Sequence, residues 1–422
     1  MHIVIIGNGV AGNSAASAIR EADKEVNITM ISQEPFPEYS ACVLSKKYIS
    51  GEMRREEVFL RKFEDYSKEN IRTLFGQKAK GLDIGNKKVL LKSGSVSYDK
   101  LIIATGSKPV VPPIEGVGKK GVFTLKTLED ADRIANYTGR KVVVLGPGYI
   151  GVEASIALKK RGWEVSLVGG RTGRILRPTF DEKPSLILRK VIEDHGIEVL
   201  TGERAVKFVG NSRIHSVITD KREIECDMAI LVLGMRPEVE LAQKAGVEIG
   251  NLGGIKVNKQ MMTTVEGIYA CGDCVQARDM IGTEDILSLL WHNAKQQGEV
   301  AGYNSAGIKR HYPGALNITG IDIFGIYAVS IGHTMDRFKD TRLEVIEDKD
   351  GQCYHRLLIV DGILVGMQSV GMPENIGPLI SVMRRGESLE RVQRILSQEN
   401  LLSTNPWCYR VYPYIKGKLP GI

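Results

Sequence analysis

The 422-residue sequence has no apolar run approaching the ~20 residues a membrane helix needs, so no membrane span is expected. Its N-terminus lacks the basic segment and cleavage site of a secretory leader. Met1-His2-Ile3-Val4-Ile5-Ile6-Gly7 instead reads as a strand entering a glycine turn, which points to a cytoplasmic protein. Cysteine is sparse: six residues, at 42, 226, 271, 274, 353 and 408, are scattered too widely for a disulfide framework. Cys271 and Cys274 have CxxC spacing, but no second pair completes a zinc site, so no metal is expected. A large excess of one charge is missing too. Lys plus Arg number 57 against 50 Asp plus Glu, a balance of +7 that steers acidic partners weakly or merely keeps the surface soluble. With no nucleic-acid motif and no basic tail, nucleic acid is not an expected partner.

What is present is a long chain with one long-range echo. The length exceeds a single core and implies two or three domains. A strand, glycine turn and helix at 3–20 recur at 142–161, with Val142-Val143-Val144-Leu145 as the second strand. Each unit runs into another short apolar strand, Ile28–Ile31 and Val165–Val168. Each is therefore a βαβ unit opening a doubly wound parallel sheet, and the fold class is α/β with two Rossmann-like domains. Pro109, Pro112 and Pro113 after the strand Leu101–Ala104 mark a crossover between domains, and Gly234-Met235-Arg236-Pro237 marks the return. From about residue 312 short strands surround an Asp361-Gly362 hairpin signal, and a helix follows near 373–385. A C-terminal α+β domain is expected there, ending in an aromatic, proline-broken tail at 405–414.

The first fingerprint is Gly7-Asn8-Gly9-Val10-Ala11-Gly12. Its first glycine permits the tight turn, the second lets a pyrophosphate approach the backbone, and the third lets helix and strand pack closely. The helix N-terminus then offers free N–H groups to the phosphates. The ribose acid that normally ends the second strand falls on Ser32, so the nearest carboxylate, Glu34, is the ribose candidate. The second fingerprint is Gly146-Pro147-Gly148-Tyr149-Ile150-Gly151, with Glu153 just beyond. Here too the acid is missing, and the chain reads Gly169-Gly170-Arg171-Thr172-Gly173-Arg174. With no acid to repel a 2′-phosphate, Arg171 or Arg174 can pair with one, a lean toward NADP(H).

With these motifs the chain resembles the FAD/NAD(P)-dependent pyridine nucleotide–disulfide oxidoreductase superfamily. The matching segments run in family order: Gly7–Gly12, Tyr39-Ser40 to Leu44-Ser45-Lys46, Ala104-Thr105-Gly106, Gly146–Glu153, Gly234–Pro237 and Ile268–Asp273. The resemblance implies a discontinuous FAD domain (1–113 and 245–311), an NAD(P) domain (114–244) and a C-terminal interface domain (312–422) through which an oligomer or complex can form. It implies that Ala104-Thr105-Gly106 is the exit turn, and that Asp273, after Gly272, bonds the FAD ribityl or pyrophosphate. A helix opening at Trp291 would point its N-terminus at the flavin, and Tyr149 would gate the nicotinamide. The chain looks closest to the branch without an active-site dithiol: NADH–rubredoxin oxidoreductases, oxygenase ferredoxin reductases and the flavin part of nitrite reductases. That branch pairs a lysine with a glutamate beside the flavin N5, here Lys46 and Glu153. Many of its members carry arginine near position 41, where this chain has Ala41-Cys42.

The leading expectation is hydride transfer between NAD(P)H and FAD, with electrons passed to or from an iron–sulfur or rubredoxin-type partner. Similar flavin subunits also serve larger redox complexes such as tungsten aldehyde oxidoreductases. Two rivals stand. In one, Cys42, lowered in pKa by Lys46 or Lys47, is the thiol of an NAD(P)H oxidase, peroxidase or coenzyme A–disulfide reductase. In the other, the chain is a redox-sensing interaction protein like apoptosis-inducing factor. Cys271 and Cys274 flank Gly272-Asp273 and are read as core thiols.

Overall fold

The computed structural model describes residues 1–170, 173–338, 343–350, 353–371 and 376–388. Arg171, the end of the chain with its aromatic tail, and the first residues of the expected 373–385 helix lie outside the described residues.

Two parallel sheets carry the echo seen in the sequence. The first orders its strands as Ile268–Ala270, Lys100–Ile103, His2–Ile6, Asn27–Ser32 and Ile71–Phe75. The second orders Glu198–Thr201, Glu164–Gly169, Lys141–Leu145, Met228–Leu231 and Val122–Thr124. Their central strands are apolar without alternation because helices and loops cover both faces; Ile3, Val4, Ile5, Val143 and Val144 are fully buried. In the first domain the helix Val10–Ala22 packs against Trp291–Ser305. That seam is closed by small residues: a Cβ on Gly298 would stand 2.2 Å from the Ala11 carbonyl oxygen.

The two domains exchange chain through one ribbon. Ser107–Pro109, on the way out, pairs antiparallel with Met235–Pro237, on the way back. Thr105 Oγ1 donates to the Glu238 carbonyl at 2.6 Å, and the Glu238 amide donates to the Gly106 carbonyl at 2.9 Å. Because this stitching sets residue 238 beside the exit turn, the chain is back in the first domain earlier than expected. Ala242 and Val247 are buried in the first core, so residues 239–244 pack with the first domain rather than with the second.

The C-terminal domain is an antiparallel sheet ordered Ile318–Ile323, Ile326–Gly332, Ile363–Val370, Cys353–Val360, Leu343–Asp350, with the helix Ile376–Arg385 laid on it through Leu379, Val382 and Met383. Asp361 and Gly362, both at positive φ, turn the hairpin whose strands pair Val360 with Ile363.

A buried polar pin joins this sheet to the second domain. Asp181, which precedes the helix Glu182–Asp194, accepts from Arg356 Nη1 at 2.8 Å, from Gln368 Nε2 at 2.8 Å and from the Met335 amide at 3.0 Å. Arg356 also meets Glu347. Both Asp181 and Arg356 are almost wholly buried. Arg356→Met leaves the Asp181 carboxylate stranded in that seam, and is expected to lower unfolding free energy by about 3–5 kcal/mol. Urea titration checks this; a midpoint equal to that of the parent protein would mean the pin contributes nothing.

Candidate functional site

The two fingerprints repeat one steric design. Gly7 and Gly146 sit at φ +118° and +117°, and a Cβ there would meet the carbonyl oxygens of Ala104 (2.0 Å) and Val232 (2.3 Å). Gly12 and Gly151 press on their own turns, where a Cβ would stand 2.0 and 1.8 Å from the Gly7 and Gly146 carbonyls. At the middle glycines, Gly9 and Gly148, a Cβ would meet nothing within 4 Å. That open space lies at the mouth of the helices starting at Val10 and Tyr149, whose first N–H groups receive no side-chain cap. Such an end binds anions.

Around the first turn lies a cavity of 530 Å³, lined among others by Gly7, Gly9, Glu34, Ala104–Gly106, Lys126 and Trp291. Glu34 is fixed at its wall by Tyr39, whose hydroxyl donates to Glu34 Oε2 at 2.8 Å and accepts from the Leu128 amide at 3.2 Å. Burial raises the Glu34 carboxyl above its ordinary value, against the pull of the Tyr39 hydrogen bond. Asp273, just after Gly272, accepts from Ser107 Oγ at 2.7 Å and lies 3.5 Å from Lys126 Nζ. Both of these partners line the cavity. Trp291 opens the helix Trp291–Ser305 at the cavity wall and remains 42 % exposed, with Lys295 over its ring. Tyr39, Ser107 and Lys126 did not emerge from the sequence as site residues. Tyr39 did stand inside a matching segment, whereas the contact of Ser107 with Asp273 spans 166 positions.

Lys46 and Glu153 meet. The segment after Ser40 is a short helical turn, Ala41–Val43, that widens into a π-helix over Leu44–Tyr48, a geometry often found at functional sites. It sets Lys46 Nζ 3.6 Å from Glu153 Oε1, and Ser45 Oγ bonds the other carboxylate oxygen. The pair is asymmetric rather than buried throughout. The Glu153 side chain is 13 % exposed and the Lys46 side chain 45 %. Burial raises the Glu153 carboxyl, while Ser45 and Lys46 draw it down.

Cys42 is accessible, yet protein surrounds it closely enough that desolvation raises its thiol pKa. Lys46 only partly offsets this and Glu153 adds to it, the opposite of the lowering that the thiol rival requires. Arg174, expected free for a phosphate, is engaged at 2.6 Å by Asp336 of the C-terminal domain. Tyr149 turns its hydroxyl into a buried position near Thr179 and Thr319, and burial keeps it protonated. Ile150 packs with the second core, and Gly234 sits in the returning turn, where its carbonyl accepts from Val110. Cys271 and Cys274 are free, fully buried thiols raised by burial, Cys274 to about 11. Among the described residues no group of His, Cys, Asp and Glu could hold a metal, and no helix is long and apolar enough to cross a membrane.

Known proteins resemble this chain in sequence and fold. A family model described as pyridine nucleotide-disulphide oxidoreductase matches residues 1–298. An NADH oxidase of Methanocaldococcus jannaschii is 34% identical over 97% of this chain and 94% of its own length. An NAD(P)H coenzyme A polysulfide/persulfide reductase of Pyrococcus horikoshii is 33% identical over 79% of this chain and 75% of its own. Among solved structures, an NAD-dependent persulfide reductase from A. fulgidus superposes with a TM-score of 0.86 at 28% identity, covering 93% of this chain and 79% of that one.

Proposed function

The chain belongs to the pyridine nucleotide-disulphide oxidoreductase family, and on that premise we propose that it is an electron-transfer reductase linking NAD(P)H to an iron–sulfur or rubredoxin-type partner. As a member it is an FAD-dependent oxidoreductase that uses NADH or NADPH. The residues fit the flavin nucleotide: the space beside Gly9 is open, the helix end behind it is uncapped, and the cavity continues to Trp291. Bound there, FAD supplies a two-electron acceptor for hydride that can give electrons up one at a time.

The chain's own groups then have defined tasks. Gly9 and the helix start at Val10 receive the pyrophosphate. Glu34, held by Tyr39, accepts from ribose hydroxyls. Asp273, oriented by Ser107 and Lys126, anchors the ribityl side. The N-terminus of the Trp291 helix stabilises negative charge on the ring system. Glu153 holds the Lys46 ammonium in place through its Oε1, and burial raises its carboxyl above the ordinary value. The second fingerprint, Gly146–Gly151, takes the nicotinamide nucleotide.

The observation that supports the acceptor reading is the Lys46–Glu153 ion pair at 3.6 Å, the pair that the dithiol-less electron-transfer branch sets beside its flavin. A thiol-based reductase needs a thiolate at neutral pH, and burial works against one here, reinforced by Glu153. A second reading, a single-cysteine oxidase or persulfide reductase, is favoured by the accessibility of Cys42 and by the names of the M. jannaschii and P. horikoshii relatives. A redox-sensing interaction protein is the third, and steady-state turnover with artificial acceptors sets it apart. Cys42→Ser is expected to leave anaerobic flavin bleaching by NAD(P)H and turnover with one-electron acceptors nearly intact. If the variant bleaches normally but loses all turnover with coenzyme A disulfide, peroxide or oxygen, the thiol reading is right and the electron-transfer reading fails.

A further inference from the structure

The strand Glu164–Gly169 ends in Gly169-Gly170, where nucleotide-binding folds of this kind normally place the acid that selects the unphosphorylated ribose. Selection at this point would fall to cations, and the loop that follows supplies them. Ile175 and Leu176 are fully buried, and the Leu176 amide donates to the Pro147 carbonyl of the fingerprint at 2.7 Å. The loop is thereby anchored against the fingerprint turn, with Arg174 and Arg177 on either side of the anchor. Neither guanidinium is free. Asp336 Oδ2 lies 2.6 Å from Arg174 Nη2 and 3.5 Å from Arg177 Nε.

Asp336 is not a loose surface partner. It sits in the short turn Met335–Arg337, which is fastened on both sides. The Met335 amide donates to Asp181 of the second domain at 3.0 Å, and Arg337 reaches Glu284 of the first at 3.0 Å. The Arg174 side chain is only 14 % exposed, so little water competes for it. Burial opposes the Asp336 charge, yet the two arginines hold the carboxyl below its ordinary value and keep it ionised at neutral pH.

We propose that Asp336, reaching across from the C-terminal domain, is a specificity-determining residue: it occupies Arg174 and Arg177 and so makes NADH the preferred nucleotide over NADPH. This rests on the reading of Gly146–Gly151 as the nicotinamide nucleotide site. A 2′-phosphate arriving at the loop must displace a carboxylate already seated on the arginine and bear its repulsion, whereas a 2′-hydroxyl meets no such competitor. The acid that the second strand lacks is thus supplied from another domain, and the lean toward NADP(H) drawn from Arg174 is reversed.

The test uses the FAD-loaded protein and isothermal calorimetry with two fragments, ADP and 2′,5′-ADP, alongside the NADPH/NADH ratio of kcat/KM with an artificial acceptor. The parent protein is expected to favour ADP and NADH. Asp336→Asn should tighten 2′,5′-ADP by about tenfold or more, the scale of one charge-assisted hydrogen bond, with ADP little changed and the kcat/KM ratio moving the same way. Asp336→Glu should stay close to the parent, and Arg174→Ala placed in the Asp336→Asn background should erase most of the gain. An Asp336→Asn protein with the parent's fragment preference would overturn the proposal, as would a parent that favours 2′,5′-ADP. If neither fragment binds, the nucleotide site itself is misassigned and the proposal falls with it. A failure with iron–sulfur acceptors would instead touch only the acceptor reading.

Discussion

Gly9→Val is expected to give a folded but nearly colourless protein, with FAD falling from one per chain to a small fraction of that. Gly9 has φ −81° and ψ −175°, an extended conformation that valine adopts freely. A Cβ there touches no protein atom. The substitution therefore costs the fold little and fills only the space through which a pyrophosphate would reach the helix end. Gly12→Val is the control of opposite kind. Its Cβ would stand 2.0 Å from the Gly7 carbonyl, well inside any van der Waals contact, so strand and helix must part and the chain should fail to accumulate as soluble protein. Absorbance at the flavin band and circular dichroism separate the two outcomes. A Gly9→Val protein with full flavin content would remove the first fingerprint from the FAD site.

The second large effect belongs to Lys46 and Glu153. Glu153→Gln and Lys46→Met are each expected to slow flavin reduction by NAD(P)H by about tenfold or more and to shift the flavin midpoint potential, with nucleotide affinity changing less. Exposure makes the two variants unequal. After Glu153→Gln, Lys46 is half-exposed and water takes over its charge. After Lys46→Met, Glu153 remains buried with Ser45 as its hydrogen-bond donor. Burial already raises this carboxyl, and Lys46 is one of the groups that draw it down. Without Lys46 it must rise further. The pH at which the reduction rate changes should therefore move upward in Lys46→Met and vanish in Glu153→Gln. The double variant should lose less than the singles combined, because it leaves no unpaired charge. Stopped-flow reduction of the four proteins across pH decides the matter. Strictly additive losses, or none, would mean the pair does not act on the flavin.

What could be read from the sequence was what has a local steric or periodic signature. The two fingerprints, the doubled parallel sheet, the proline-marked crossovers and the Asp361-Gly362 hairpin each follow from residues close together in the chain, and the structure has all of them. Lys46 and Glu153, far apart in sequence, were paired only through family resemblance. What could not be read depends on burial and on contacts between domains. The thiol rival had Cys42 lowered in pKa by the lysines that follow it, but desolvation by the surrounding protein outweighs Lys46. Arg174 looked free because Asp336, 162 residues on, has no pattern that announces it. The re-entry to the first domain was placed late because Glu240–Lys244 is too short for helical periodicity to show.

The ribbon of Ser107–Pro109 against Met235–Pro237 bears on how the chain is made. A ribosome delivers the strand Lys100–Ile103 long before its neighbour Ile268–Ala270, since the whole second domain is spelled out between them. During that interval one edge of the first sheet is unpaired, presenting Leu101, Ile102 and Ile103, all fully buried in the finished protein. The inserted domain can complete its own sheet first, and the ribbon then brings the two halves of its host together as residues 235–237 emerge. Nascent chains stalled before residue 268 carry an open apolar edge of the kind that recruits other strands, so the late-arriving strand Ile268–Ala270 also closes off a route to aggregation during synthesis.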